Sequence, residues 1–287
     1  MTALGLALGG GGVVGVAWEV GVVAGLAGAC GWDPAGVRVL VGTSAGSLVG
    51  TQLLQGRTVD ELVAGQLSDP PGDVPLRPEL DLAALGEIFG TWTATDEMTP
   101  ELARTIGQRA ATAGTVPEAD YVASFGAMLI GADWPAADLR VTGVSVESGE
   151  RAVWTAASGV PVTRAVAASC SVPGMFPPVQ VGGERFVDGG VWSGSNADAL
   201  LGSGVEAAVF LGPLVGETGL GRVSGLALER ERKLLAEEGI TLVDVVPGER
   251  FTTFGRDLMN PTHRSAAVEV GRADGEDAAT RLRDVLS

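Results

Sequence analysis

The amino-acid sequence predicts an α/β fold with a mostly parallel central sheet covered by helices on both faces. Three observations lead there. The N-terminal part reads as strand, glycine loop, helix, strand, tight turn, helix. That βαβα order favours parallel strands, because each crossover lays a helix against the sheet. Nearer the C-terminus, two apolar runs, Val205 to Leu211 and Thr241 to Val246, flank a charged amphipathic segment in the same rhythm. Finally, 46% of the 287 residues are hydrophobic, enough for a core that buries both faces of a sheet.

The elements follow in order. Leu4 to Leu8 is a buried strand, and four glycines, Gly9 to Gly12, come next. From Gly15 to Ala29 the apolar residues are nearly continuous, as in a largely buried helix. Asp33-Pro34 breaks it, and Val37 to Val41 forms the second strand, which runs into Gly42-Thr43-Ser44-Ala45-Gly46 and a further helical pattern. Ser68 to Pro78 is rich in proline and aspartate and reads as a loop. Helices are expected over Asp81 to Phe89, Thr99 to Ala113 and Pro117 to Ile130, each opened by a capping-type residue or proline. Residues 68–134 therefore form a helical insertion. Its apolar positions Leu82, Leu85, Ile88 and Phe89 suit either ordinary core or a cover over an apolar site. Leu139 to Glu147 and Arg151 to Thr155 alternate around Ser148-Gly149-Glu150, a hairpin signal. Pro161 to Cys170 is a short helix, Glu184 to Val187 a strand leading into Asp188-Gly189-Gly190, and Thr262 to Leu286 a last helical segment.

Composition narrows the function classes. Nineteen Lys and Arg face 35 Asp and Glu, a formal charge of −16. That balance argues against nucleic acid as a partner and against strong electrostatic docking on anionic lipid. The two cysteines, Cys30 and Cys170, make no disulfide framework and suit a reducing compartment, so the expected location is cytoplasmic. Leu4 to Ala29 has the hydropathy of a signal or membrane segment. It lacks a preceding Lys or Arg, contains the glycine run, and carries Glu19 in its middle, so a soluble core helix is the better reading. One histidine and no cluster at ligand spacing imply no metal, and no cofactor is expected.

Three stretches could carry chemistry. Gly42 to Gly46 has G-x-S-x-G spacing, in which a serine at a sharp strand-to-helix turn needs small neighbours. Glycine and serine are also ordinary turn residues, and the spacing alone leaves both readings open. Gly10-Gly11-Gly12-Val13-Val14-Gly15 opens a helix, so its N–H groups can converge on a negative charge. It also fits a dinucleotide fingerprint, but that role requires an acid at the end of the second strand, where Val41-Gly42-Thr43-Ser44 stands instead. Close packing of helix on strand explains one or two of the glycines, not four in a row. Asp188-Gly189-Gly190 is commonly a plain turn. It gains weight because a nucleophilic serine needs a base. The only histidine, His263, sits in a polar helix start, which leaves an aspartate as the reasonable partner of Ser44.

Together these stretches resemble the patatin-like phospholipases, lipid acyl hydrolases with a Ser-Asp dyad. The glycine loop Gly10–Gly15, the elbow Gly42–Gly46, a block from Ala168 to Val179, and Asp188-Gly189-Gly190 occur in the family's order. The resemblance spans about residues 4–201, is weak over the insertion, and leaves 202–287 to complete the same domain. It implies a three-layer α/β/α sandwich, Ser44 as nucleophile, Asp188 as general base, and backbone N–H groups of Gly10, Gly11 and Gly12 as the oxyanion hole. Gly15, Gly42, Gly46, Gly189 and Gly190 would shape these motifs. The substrate would be a lipid or acyl ester met transiently at a membrane or micelle surface. The same dyad would also serve an acyltransferase or thioesterase, or survive in a weakly catalytic acyl-lipid-binding protein. One position departs from the family: Val14 stands where it usually carries Arg or Lys, which favours uncharged esters over anionic phospholipids. Oligomeric state is not legible.

Overall fold

The computed structural model describes residues 3–68, 81–255 and 257–286. Residues 69–78 of the expected proline-rich loop lie outside them. Strand β1 (Leu4–Leu8) feeds helix α1 (Gly12–Cys30), then β2 (Val39–Gly42), α2 (Ala45–Leu54) and α3 (Val59–Leu67). Helices α4 (Leu82–Thr93), α5 (Pro100–Ala110) and α6 (Glu118–Met128) follow, then strands β3 (Asp138–Ser145) and β4 (Arg151–Trp154) and helix α7 (Val162–Ser169). Strands β5 (Val179–Val181), β6 (Glu184–Asp188) and β7 (Ala207–Leu211), helix α8 (Gly219–Glu237), strand β8 (Thr241–Val245) and helix α9 (Arg264–Leu286) complete the chain.

The strands form one sheet in the order β5-β6-β3-β2-β1-β7-β8, with β4 beside β3. It is parallel from β3 through β2, β1 and β7 to β8 and antiparallel where β4, β5 and β6 join. Side-chain alternation divides the core. Leu4, Leu6 and Leu8 point into a cluster with α1, α2, α7 and α9, whereas Ala7 points to the other face with Leu228 and Leu235 of α8. Ile88 and Trp92 of α4 and Ile106 of α5 pack on Val144 and Val187. The architecture is a three-layer α/β/α sandwich with helices added to one layer.

Helix α1 packs closely against α9. Taken alone it is long and apolar enough to cross a membrane, yet 67% of that stretch is buried within the fold. It crosses α9 backbone to backbone: a Cβ added at Gly21 would fall 2.2 Å from the Val268 carbonyl, and one at Gly271 would fall 2.1 Å from that of Trp18. Only hydrogen side chains permit that approach.

Boundaries depart from the sequence reading in explicable ways. Helix α1 begins at Gly12 rather than Gly15, because its first turn is held from outside, with Val14 N–H donating to the Leu258 carbonyl at 2.9 Å. Helix α3 is an addition to the sequence reading, although Thr58 and Glu61 close a full capping box at its start. Strand β5 is a second addition. Its three residues are too few for a periodic signal, and pairing to β6 creates it.

Candidate active site

Strands β2 and β3 lie to one side of β1, and β7 and β8 to the other. The carboxyl ends of β1, β2 and β7 therefore surround the point where chain direction across the sheet reverses, the usual crevice for a ligand in open α/β sheets. Three of the predicted stretches converge there.

Ser44 sits between β2 and α2 with φ 52° and ψ −119°. For a residue with a side chain this backbone costs about 1–3 kcal/mol and persists only where neighbours impose it. The neighbours are identifiable. Ser44 N–H donates to Ser169 Oγ at 2.9 Å. Its carbonyl accepts from Ser47 Oγ at 2.7 Å and Cys170 Sγ at 3.1 Å. The glycines serve close approach: a Cβ on Gly46 would lie 2.3 Å from the Leu8 carbonyl, and one on Gly42 would lie 2.5 Å from Ser47 Cα. Ser169 and Cys170 belong to the block around 168–179. The resemblance marked that block without a role, and the structure makes it the clamp on the elbow.

The glycine loop lies against this turn. A Cβ on Gly10 would meet Ser44 Cβ at 3.5 Å and Leu214 Cδ1 at 3.6 Å. One expectation needs correction. Gly10 N–H is not free to bind an oxyanion, because it donates to the Gly194 carbonyl at 3.0 Å, just as Gly9 N–H donates to that of Leu211. Pairing with β7 thus runs one residue past β1, and the next N–H is taken by the segment after Asp188. Among the described residues the N–H groups of Gly11, Gly12 and Val13 have no partner, and neither has that of Ala45 at the start of α2. Gly15 donates to the Gly11 carbonyl and packs on Pro213. Val14, the departure from the family pattern, is fully buried, so the core and not solvent surrounds its side chain.

Asp188 ends β6 and is 3% exposed. Its Oδ1 accepts from Gly190 N–H at 2.7 Å, and its own N–H donates to the Ser171 carbonyl at 2.9 Å. Burial pushes its carboxyl up to about 7, against the opposing pull of the Ser44 side chain and of the Gly190 N–H. Ser44 and Asp188, far apart in sequence, are thus neighbours. Gly189 leaves no room for a side chain, since its Cβ would fall 2.3 Å from Thr142 Oγ1. Trp92 of α4 approaches Gly190, and Leu85 and Ile88 approach Gly174. This part of the insertion covers the aspartate loop and is core at once, while Leu82 is 75% exposed.

His263 packs on the Phe254 ring, centroid to centroid 5.5 Å, and makes no hydrogen bond with Ser44 or Asp188 among the described residues. Among the described residues no group of three or more His, Cys, Asp or Glu is placed to hold a metal ion.

The fold and this crevice define an α/β sandwich whose functional groups gather at the sheet's switch point. A family model described as patatin-like phospholipase matches residues 6–201. The chain belongs to that family, and at the family level it is a lipid acyl hydrolase. No curated protein matches it. Among solved structures, VipD from Legionella pneumophila is similar at 13% identity and a TM-score of 0.46, over 99% of this chain and 67% of that one. The type III effector protein ExoU is similar at 16% identity and a TM-score of 0.43, over 98% of this chain and 53% of that one. The chain thus spans about half the length of the second. Residues that reach the glycine loop from beyond the matched region, Pro213, Leu214, Leu258 and Met259, are not singled out by the sequence, because their spacing carries no motif.

Proposed function

We propose that the protein is a serine acyl hydrolase that cleaves acyl esters of lipids through Ser44 and Asp188. The observation that supports it best is the strained Ser44 backbone close to the buried Asp188 carboxyl, whose pKa the Ser44 side chain pulls down against burial. Asp188 takes the Ser44 proton as Oγ attacks the ester carbonyl. The tetrahedral oxyanion is met by the unpartnered N–H groups of Gly11, Gly12 and Ala45 at two helix N-termini. Collapse expels the alcohol, which takes the proton back from Asp188. Water activated by the same aspartate then hydrolyses the acyl-enzyme. A carboxyl held near 7 is a stronger base once ionised than an ordinary aspartate, which suits it to a serine without histidine.

The wall supplied by Pro213, Leu214 and Met259 is apolar and Val14 adds no cation. With a formal charge of −16, these features favour uncharged acyl esters over anionic phospholipids. A fluorophosphonate probe should label the wild type with the adduct on Ser44, and Ser44→Ala should abolish it. Labelling that survives the substitution would refute the assignment. Absence of labelling would point instead to a lipid-binding protein without catalysis. Panels of neutral ester, anionic phospholipid and thioester, with product analysis in the presence of acceptor alcohols, separate hydrolysis from transfer and thioester cleavage. A wild type whose kcat/KM favours the anionic phospholipid would overturn the substrate preference.

A further inference from the structure

Shortly after the aspartate, from Ser193 onward, the chain enters a buried polar segment that contacts each part of the crevice. Gly194 accepts the Gly10 N–H at 3.0 Å, fixing the glycine loop. Asn196 is fully buried and takes φ 47°, the left-handed region that asparagine tolerates better than most residues. Its Nδ2 lies 3.1 Å from Thr43 Oγ1, the residue before Ser44, and 3.2 Å from the carbonyl of Gly189, the residue after Asp188. It also reaches the Ser193 carbonyl at 2.6 Å and Thr142 Oγ1 at 3.4 Å. The amide orientation is fixed by its other end: Arg151 Nη1 donates to Asn196 Oδ1 at 3.0 Å, and a guanidinium can only donate.

The segment is held at both flanks. Asp198 grips Arg151 through two hydrogen bonds of 2.6 and 2.8 Å. Glu231 of α8 accepts from Ser195 Oγ at 2.5 Å and Ala197 N–H at 2.8 Å. A plain structural turn would need only local bonds. Here one carboxamide bridges the elbow to the aspartate loop, and Gly194 just before it holds the oxyanion loop.

We infer that Asn196 is a positioning residue for the reaction, setting the distance between Ser44 and Asp188 by tying Thr43 to Gly189. The inference rests on the dyad reading above. Misplacement of reacting groups by an ångström costs about a hundredfold in rate, so loss of this tie should appear in kcat and not in substrate binding.

The test is steady-state kinetics on a neutral acyl ester, with fluorophosphonate labelling run in parallel. Asn196→Gly keeps the left-handed backbone and removes the amide. It should lower kcat by about 10- to 100-fold with KM within about threefold, and shift the acid limb of kcat/KM, because Asp188 is no longer held against Ser44. Thr43→Val keeps the shape, removes the Asn196 contact together with the bond to Thr142 Oγ1, and should lose a smaller factor. The two effects should not add in a double-mutant cycle, since they break the same bridge. If Asn196→Gly does not fold, Thr43→Val decides alone. A folded variant with lower Tm but unchanged kcat and pH profile would make the segment merely structural and overturn the inference. Failure of the wild type to label on Ser44 would instead sink the dyad, so the two failures are distinguishable.

Discussion

Replacing Asp188 by asparagine should have opposite effects on activity and stability, and the size of the second follows from burial. In the folded protein this carboxyl is raised from 3.8 to about 7. A raised carboxyl favours the folded state only while protonated. Its contribution is therefore fully present below about pH 3.8, falls as pH rises, and is exhausted above about pH 7. At about 1.4 kcal/mol per pH interval, wild type carries a penalty of about 2 kcal/mol at about pH 5 and about 4 kcal/mol at about pH 8.5. The Asp188→Asn variant has no such penalty, and its amide oxygen can still accept the Gly190 N–H. Its advantage should grow by about 2–3 kcal/mol across that range, or roughly 5–10 °C in Tm for a domain of this size. Urea or thermal unfolding of both proteins at the two pH values measures it, and other titrating groups cancel in the comparison. The same variant should lose at least about a thousandfold in kcat. In wild type, kcat/KM should rise with pH through about 7 as the base ionises. A stability gain equal at the two pH values, or a pH-independent kcat/KM with chemistry limiting, would refute the reasoning.

Other expectations follow from single contacts. Glu19 is fully buried and neither oxygen has a hydrogen-bond partner among the described residues. Burial holds its carboxyl well above the usual range, against a lesser pull from the Gly9 backbone. Its contribution too is present at low pH and lost as pH rises, so Glu19→Gln should raise Tm more at about pH 8 than at about pH 5, and an equal effect at both would count against it. Gly46→Ala should cost about 3 kcal/mol or more, or prevent folding, because its Cβ would fall 2.3 Å from the Leu8 backbone; a variant with wild-type Tm would contradict the packing. His263→Ala should keep esterase activity within about threefold. A loss of about a thousandfold would instead reveal histidine as the base.

Much of this molecule is legible in the chain because local chemistry and global fold agree. Leu4–Leu8 pairs on both edges and is apolar throughout, so strand and burial are read together. Gly42 and Gly46 announce a turn that only small residues permit, and Asp188 stands out at a strand end before two glycines. The sequence by itself determined most of the strands and helices, the βαβα opening and the family. Tertiary structure decided which groups within those motifs remain available. Gly10 looks identical to Gly11 and Gly12 in sequence, but Gly194, distant along the chain, occupies its N–H. Val14 stands at a place for a charge in the family pattern, and the fold buries it completely. Asn196 has no spacing signal at all: its amide acquires meaning only when β2, β3, β4 and the aspartate loop meet around it. The physical reason is common to all three. Propensity and periodicity act over a few residues, whereas burial and hydrogen-bond satisfaction are settled by partners brought together from across the chain.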